Sequence, residues 1–205
     1  KSIDTSKAEA LLGVKAVITS KDLKDQPSEL KPAGEGMVNY RDMTRNVMAR
    51  EKVLYDGHAV AAVAATTVEI AEAALELIDV KYEVLPHVVD VDAAMKDDAP
   101  ILDDTMVPIG YETKGPTNIA KHVEFSLGDT GKGFEEAEVV IERSYKTEAV
   151  HQGYIEPHAV VASVSEDGQA QIWCCTQGQF MVRTFVGQLL GMPTSSIRVT
   201  PSEIG

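Results

Sequence analysis

The run "GQAQIWCCTQ" at residues 168–177, followed by "FMVRTFVGQLLGM" at 180–192, decides how this chain is read. The first stretch has strand composition, and the second repeats its apolar residues with a helical period. Gly178 interrupts them, so an apolar strand ends on two cysteines, a threonine and a glutamine and turns at once into a helix. In open α/β sheets, the carboxyl end of a strand feeding a helix is where ligands bind. The uncharged amide of Gln177 at that turn is suited to donating a directional hydrogen bond to an oxo or phosphate oxygen. Turn geometry alone would equally place a glutamine there.

Cys174 and Cys175 are adjacent, so on a strand they face opposite sides and cannot close an ordinary disulfide. That pattern predicts a reducing, cytoplasmic setting. As nucleophiles they would need a base and an electropositive neighbourhood, and no basic residue lies within several positions, so core packing is the expected role.

Working outward, 205 residues of which 44% are hydrophobic can bury a core for one large domain or two small ones. A formal charge of -13 argues against a nucleic-acid partner, because phosphate neutralisation needs a basic face. The longest apolar stretch, "HAVAAVAATTVEIAEAALELI", carries acidic residues at helical spacing and does not read as a membrane span. The chain opens "KSIDTSKAEALLG" as if in mid-strand and closes "RVTPSEIG" without a helix stop, which reads as an internal piece of a longer protein.

"GVKAVITSKDL" (13–23) predicts a short buried strand and a helix start. "KVLYDGHAVAAVAA" (52–65) predicts two strands across an Asp56-Gly57 hairpin turn. Thr66 with Glu69 suggests a capping box for the helix "VEIAEAALELI", and the expected core of this region is Val17, Val60, Ala62, Val63, Ile70, Ala74, Leu77 and Val80. "DVKYEVLP" (79–86) alternates as a strand that Pro86 stops. Residues 91–117, rich in Asp and Pro, read as a surface connection. Beyond it, "KHVEFSLGD", "AEVVIERSYKTEAVHQGYIEP", "HAVVASVSEDGQAQIWCCTQ" and "SIRVTP" are strand-like, with a short helix at "GFEEA" and a turn at Asp167-Gly168.

Other chemical candidates are weaker. "GDTGKG" (128–133) has too few residues before Gly-Lys, and no Ser or Thr after it, for a phosphate loop, so it reads as a solvated turn. The histidines at 58, 87, 122, 151 and 158 show no zinc-type spacing, and His151 and His158 approach each other only if the chain bends near Pro157. Glu156 is a candidate buried base, although a hydrogen-bonded structural role is the simpler reading.

"SIDTSKAEALLGVKAVITSKDL", "VLYDGHAVAAVAATTVEIAEAALELIDVKYEVLP", "EFSLGDTGKGFEEAEVVIERSYKTEAVHQGYIEPHAVVA" and "IWCCTQGQFMVRTFVGQLLGMPTSSIRVTPSEIG" together resemble, in order, the molybdenum-binding large subunit of the xanthine dehydrogenase and aldehyde oxidase family. "GEGMVNYRDMTRNVMAREKVLYDGHAVAAVAA" is similar to the carbon monoxide dehydrogenase-like branch. The resemblance implies an α+β fold: an α/β-hammerhead domain over 1–90, a connecting segment over 91–118, and the first part of a molybdenum-cofactor-binding domain over 119–205. It also implies that the Thr176-Gln177 pair supplies an amide to the apical oxygen of molybdenum. Gly178 would complete that turn, and Gly205 would begin a glycine-rich stretch pressed against the pterin.

By the same resemblance, the parent is a molybdenum hydroxylase acting on a small substrate with water-derived oxygen. It carries a molybdenum–pterin cofactor of dinucleotide form, with FAD and 2Fe-2S centres on partner subunits or domains. The family's base glutamate lies outside these residues, so no catalytic residue and no protein metal ligand is expected here, and the stretch alone is expected to be inactive. An unpaired sheet edge would invite self-association. The competing reading is a non-catalytic assembly domain with a vestigial site.

Overall fold

Two alanines set the packing of the N-terminal half. The computed structural model describes residues 1–33 and 36–205. β1 (Ser2–Asp4) leads into a short helix α1 (Ser6–Glu9) and then β2 (Val14–Thr19). β3 (Leu30–Ala33), β4 (Gly36–Asn39), α2 (Tyr40–Val47), β5 (Ala61–Ala65), α3 (Val68–Leu75) and β6 (Asp79–Lys81) follow. β2 pairs antiparallel with β5, and β1 with β6. α1 and α3 pack together beside β2, and because Ala8 and Ala74 are both fully buried, the two backbones can approach closely.

A second small core gathers around α2. Tyr40, Thr44, Met48, Ala49 and His58 are all buried there. The His58 ring stacks on Tyr55 with centroids 4.4 Å apart. Its Nδ1 accepts from the Leu54 N–H at 3.1 Å, which leaves Nε2 to carry the proton and donate to the Arg45 carbonyl at 2.8 Å.

This arrangement corrects the hairpin expected at Asp56-Gly57. Gly57 does adopt positive φ and the turn closes through His58 N–H to Tyr55 O, but only β5 is a strand. The Leu54 amide is spent on His58 and is unavailable to a ladder. The helix cap is also shifted by one residue. Thr67, not Thr66, accepts from the Ile70 amide, because the Thr66 amide still donates to Gly13 O as part of the sheet. Of the expected core, Ala74 is buried and Val17, Val60, Val63, Ile70 and Val80 are half-buried. Ala62 faces outward on β5, where alternate residues change side. Leu77 is exposed because α3 ends at Leu75 and the helical period does not reach it.

The second half contains α4 (Val91–Ala94), α5 (Thr130–Glu135), β7 (Val160–Val164), β8 (Ala170–Cys174), α6 (Gln179–Leu190) and β9 (Ile197–Pro201). Asp129 caps α5 by accepting from Lys132 N–H, so "GDTGKG" is a helix start rather than a phosphate loop. β7 and β8 form the expected hairpin, with Gly168 at positive φ. β9 lies parallel to β8 on its other side, with α6 as the crossover between them.

Two strand expectations fail. β6 stops at Lys81 instead of Pro86, and 122–159 contains no strand. Alternating apolar residues define a face, but a ladder also needs a partner, and none runs beside this segment among the described residues.

The two halves meet at α6. Tyr40 packs edge-on against Phe185 with ring centroids 6.0 Å apart, and the Gln26 side-chain amide donates to the Gln188 carbonyl at 2.8 Å. No helix of the described residues is long and apolar enough to cross a membrane.

Candidate functional site

The β8–α6 turn is built by its own sequence. Thr176 Oγ1 accepts from the Gly178 amide at 3.0 Å, closing a compact side-chain turn immediately after the strand. Gly178 then opens α6, and its carbonyl accepts the first intrahelical bond, from Val182 at 3.0 Å. No side chain caps this helix end, so the first amides of α6 remain available to a ligand. A Cβ at Gly178 would lie 3.6 Å from Met181 Cβ, an ordinary contact. The glycine therefore serves access to the backbone more than internal packing. Gln177 sits exposed between these two devices, with its amide open to solvent.

The neighbouring strand exits alongside. Cys174 is opposite Pro201 in the parallel register, and the Ser202 amide donates to the Cys174 carbonyl at 2.9 Å. Residues 202–205 thus leave the same end of the sheet as the Gln177 turn, and the Gly205 amide donates to Glu156 Oε2 at 2.9 Å. The Cys175 thiol lies 3.7 Å from the Ala159 carbonyl and 3.8 Å from that of Pro157. Both cysteines are free and half-buried, in keeping with a packing role.

His151 and His158 do come near one another, through Tyr154. The Tyr154 ring lies 4.9 Å from His151 and 5.5 Å from His158, and its hydroxyl is 3.2 Å from His158 Nε2. No group of three His, Cys, Asp or Glu side chains among the described residues could hold a metal. A cofactor at this site would bring its own metal ligands.

An open cleft of about 320 Å³ runs between the first turn of α6 and the start of β9 and is lined by Gln179, Phe180, Arg183, Ser195 and Arg198, with no carboxylate among its lining residues. Arg198 pairs with Gln171 near the start of β8, away from the Gln177 end of the sheet, and Arg183 Nε donates to the Thr194 carbonyl at 2.7 Å. Two guanidinium groups at one cleft stand out in a chain of charge -13. The donors at the turn fit an anionic oxo-bearing group: a neutral amide at Gln177 and the uncapped first amides of α6. A second cleft, of about 350 Å³, lies in the N-terminal half. Its basic groups are already engaged, Lys52 with Asp104, Arg45 with Glu51 and Arg50 with Asp25. Sequence reasoning missed the Thr176 lock, the Glu156 contact and the arginine cleft. Only the first had a local signal, a threonine two residues ahead of a glycine amide.

Fold and site together define a two-part α+β unit, a hammerhead domain followed by a domain whose β8–α6 turn carries an exposed neutral amide. Residues 1–86 match the a/b hammerhead domain of aldehyde oxidase and xanthine dehydrogenase, and residues 111–205 match the molybdopterin cofactor-binding domain. The chain belongs to the xanthine dehydrogenase and aldehyde oxidase family of molybdenum-binding subunits, in its carbon monoxide dehydrogenase-like branch.

It is 36% identical to the carbon monoxide dehydrogenase large chain of Afipia carboxidovorans, over 100% of this chain and 25% of the relative. Carbon monoxide dehydrogenase from Oligotropha carboxidovorans superposes with a TM-score of 0.76 at 35% identity, covering 100% of this chain and 26% of that one. Quinoline 2-oxidoreductase from Pseudomonas putida 86 gives 0.77 at 25% identity, covering 100% and 25%. The chain spans about a quarter of the length of most curated relatives it matches.

Proposed function

We propose that the protein is the molybdenum-binding part of a hydroxylase-type oxidoreductase that oxidises a small substrate with water-derived oxygen. These residues would supply the scaffold and one wall of its pocket. The observation that carries this reading is the exposed Gln177 amide, aimed from a Thr176-locked turn at the carboxyl end of β8. When bound, a molybdenum–pterin cofactor of dinucleotide form would supply the redox-active metal, with electrons passing to 2Fe-2S and FAD centres on partner subunits or domains.

The chain's own contribution is positional. The Gln177 Nε2 would donate to an oxo oxygen of the group without adding charge, and the short turn would hold it there at low entropic cost. Gly178 leaves the first α6 amides accessible, and Gly205 arrives on the adjacent strand exit. One neutral hydrogen bond contributes about 0.5–1.5 kcal/mol net, so these residues alone do not retain the cofactor and are inactive by themselves.

The test is Gln177→Ala in the full-length protein, with turnover normalised to molybdenum content. The expected loss is about 10- to 100-fold. Gln177→Glu should lose at least as much, since it sets a carboxylate against an anionic oxygen. Unchanged turnover at full occupancy would refute the role. The 205-residue chain, made in a host that synthesises the cofactor, should contain no stoichiometric molybdenum, and one atom per chain would show that the pocket is more complete than argued. A full-length protein that assembles with its partners but never holds molybdenum would favour an assembly role instead.

A further inference from the structure

Glu156 occupies an unusual place. Every residue from Ala120 to Gln169 is exposed except Glu156, which is half-buried. A carboxylate is the side chain least expected to be sequestered in a run that leaves Val123, Phe125, Ile141 and Ile155 in solvent. Its burial has a specific partner, the Gly205 amide at 2.9 Å. The approach is close, since a Cβ at Gly205 would come within 3.3 Å of Glu156 Cβ. Pro157 follows directly and restricts the Glu156 backbone to extended conformations, so the carboxylate is presented from a stiff base. The same segment is held on its other side by the Cys175 thiol, which contacts the Pro157 and Ala159 carbonyls.

The segment around Glu156 therefore bridges two strand exits. Cys175 immediately precedes the Thr176-Gln177 turn on β8, and Gly205 lies just past β9. We propose that Glu156 is a positioning residue that clasps the 202–205 backbone beside the Gln177 turn, so that both face one pocket. This rests on the reading of that turn as a cofactor wall. The role differs from that of a general base. One carboxylate oxygen is engaged as acceptor from a backbone amide, and what the group supplies is the placement of a strand exit. It acts through Gly205, not on a substrate atom.

The experiment compares Glu156→Ala and Glu156→Gln in the full-length protein by three measurements: amide hydrogen exchange over 202–205, molybdenum and pterin per chain, and turnover per molybdenum. The alanine variant should exchange about tenfold faster or more over 202–205, the scale of losing a hydrogen bond to a charged acceptor. It should also lose cofactor content, while turnover per remaining molybdenum stays within a few-fold. Glutamine keeps a carbonyl acceptor and should restore most of the protection and the content.

Unchanged exchange in Glu156→Ala would overturn the clasp. So would a Glu156→Gln protein that keeps exchange and metal but loses turnover per molybdenum a hundredfold, because that result marks proton transfer. If the wild type itself holds no molybdenum, the cofactor reading fails, while the exchange comparison still decides the clasp. Should the alanine variant not fold, Glu156→Asp, a methylene too short to keep the bond, carries the same comparison.

Discussion

Replacing Gly187 with alanine sets two effects against each other, and the structure decides which wins. Gly187 is buried in the last turn of α6, where alanine is favoured over glycine by up to about 1 kcal/mol of helix propensity. Against that, a Cβ at this position would lie 3.0 Å from the Met192 carbonyl oxygen, 3.3 Å from Thr194 Cγ2 and 3.5 Å from Ile197 Cδ1. The first of these is backbone, and it belongs to the turn that ends the helix. The Met192 amide donates to Gly187 O at 2.9 Å, while Gly191 holds a left-handed φ of 67°. Ile197 is the most buried residue of β9, at 3% exposure.

Neither wall can yield without moving α6 off the sheet, and forcing a methyl into a packed contact costs about 1–3 kcal/mol. The net expectation is a loss of about 1–2 kcal/mol, with the propensity gain absorbed. The assay is urea unfolding followed by the fluorescence of Trp173, the single tryptophan of these 205 residues, which sits on β8 opposite Thr200 of β9, the strand that packs against α6. A midpoint equal to or above that of the wild type would refute the reasoning, since it would mean the helix–sheet spacing relaxes freely and propensity dominates.

Two further outcomes follow from positions in each half. Ala74→Asp places a carboxylate at a fully buried contact between α1 and α3 and should cost several kcal/mol, on the order of 3–5, whereas Leu77→Asp, past the helix end, should stay within about 1 kcal/mol; equal melting temperatures for the two variants would show the buried face is misplaced. In the β7–β8 turn, the Ser165 hydroxyl and then the Gln169 amide hold the Asp167 carboxyl below its ordinary range. A depressed folded value means the turn gains stability above the ordinary aspartate range and loses it as pH falls through the folded value. An NMR titration of Asp167 should therefore show a lowered midpoint that Ser165→Ala moves back up, and an ordinary midpoint in the wild type would contradict the contact.

What the sequence by itself determined is local. The strand–turn–helix at 170–190, the Asp167-Gly168 hairpin, the helix after Thr67 and the acidic balance all follow from period, turn chemistry and charge within a few residues of each feature. The turn at Gln177-Gly178 was legible for the same reason, a strand ending at a glycine before a helical period, whereas the Thr176 hydroxyl that locks it, though only two residues from the amide it holds, was missed. Only the tertiary structure decided that β9 lies parallel beside β8, that 122–159 has no ladder, that Leu54 serves His58 and not a hairpin, and that Glu156 meets Gly205 across 49 positions. A side chain's alternation fixes the face it will show, but which partner arrives there depends on long-range closure. Its entropic cost is offset only when many contacts form together, and that total is not written in any one segment.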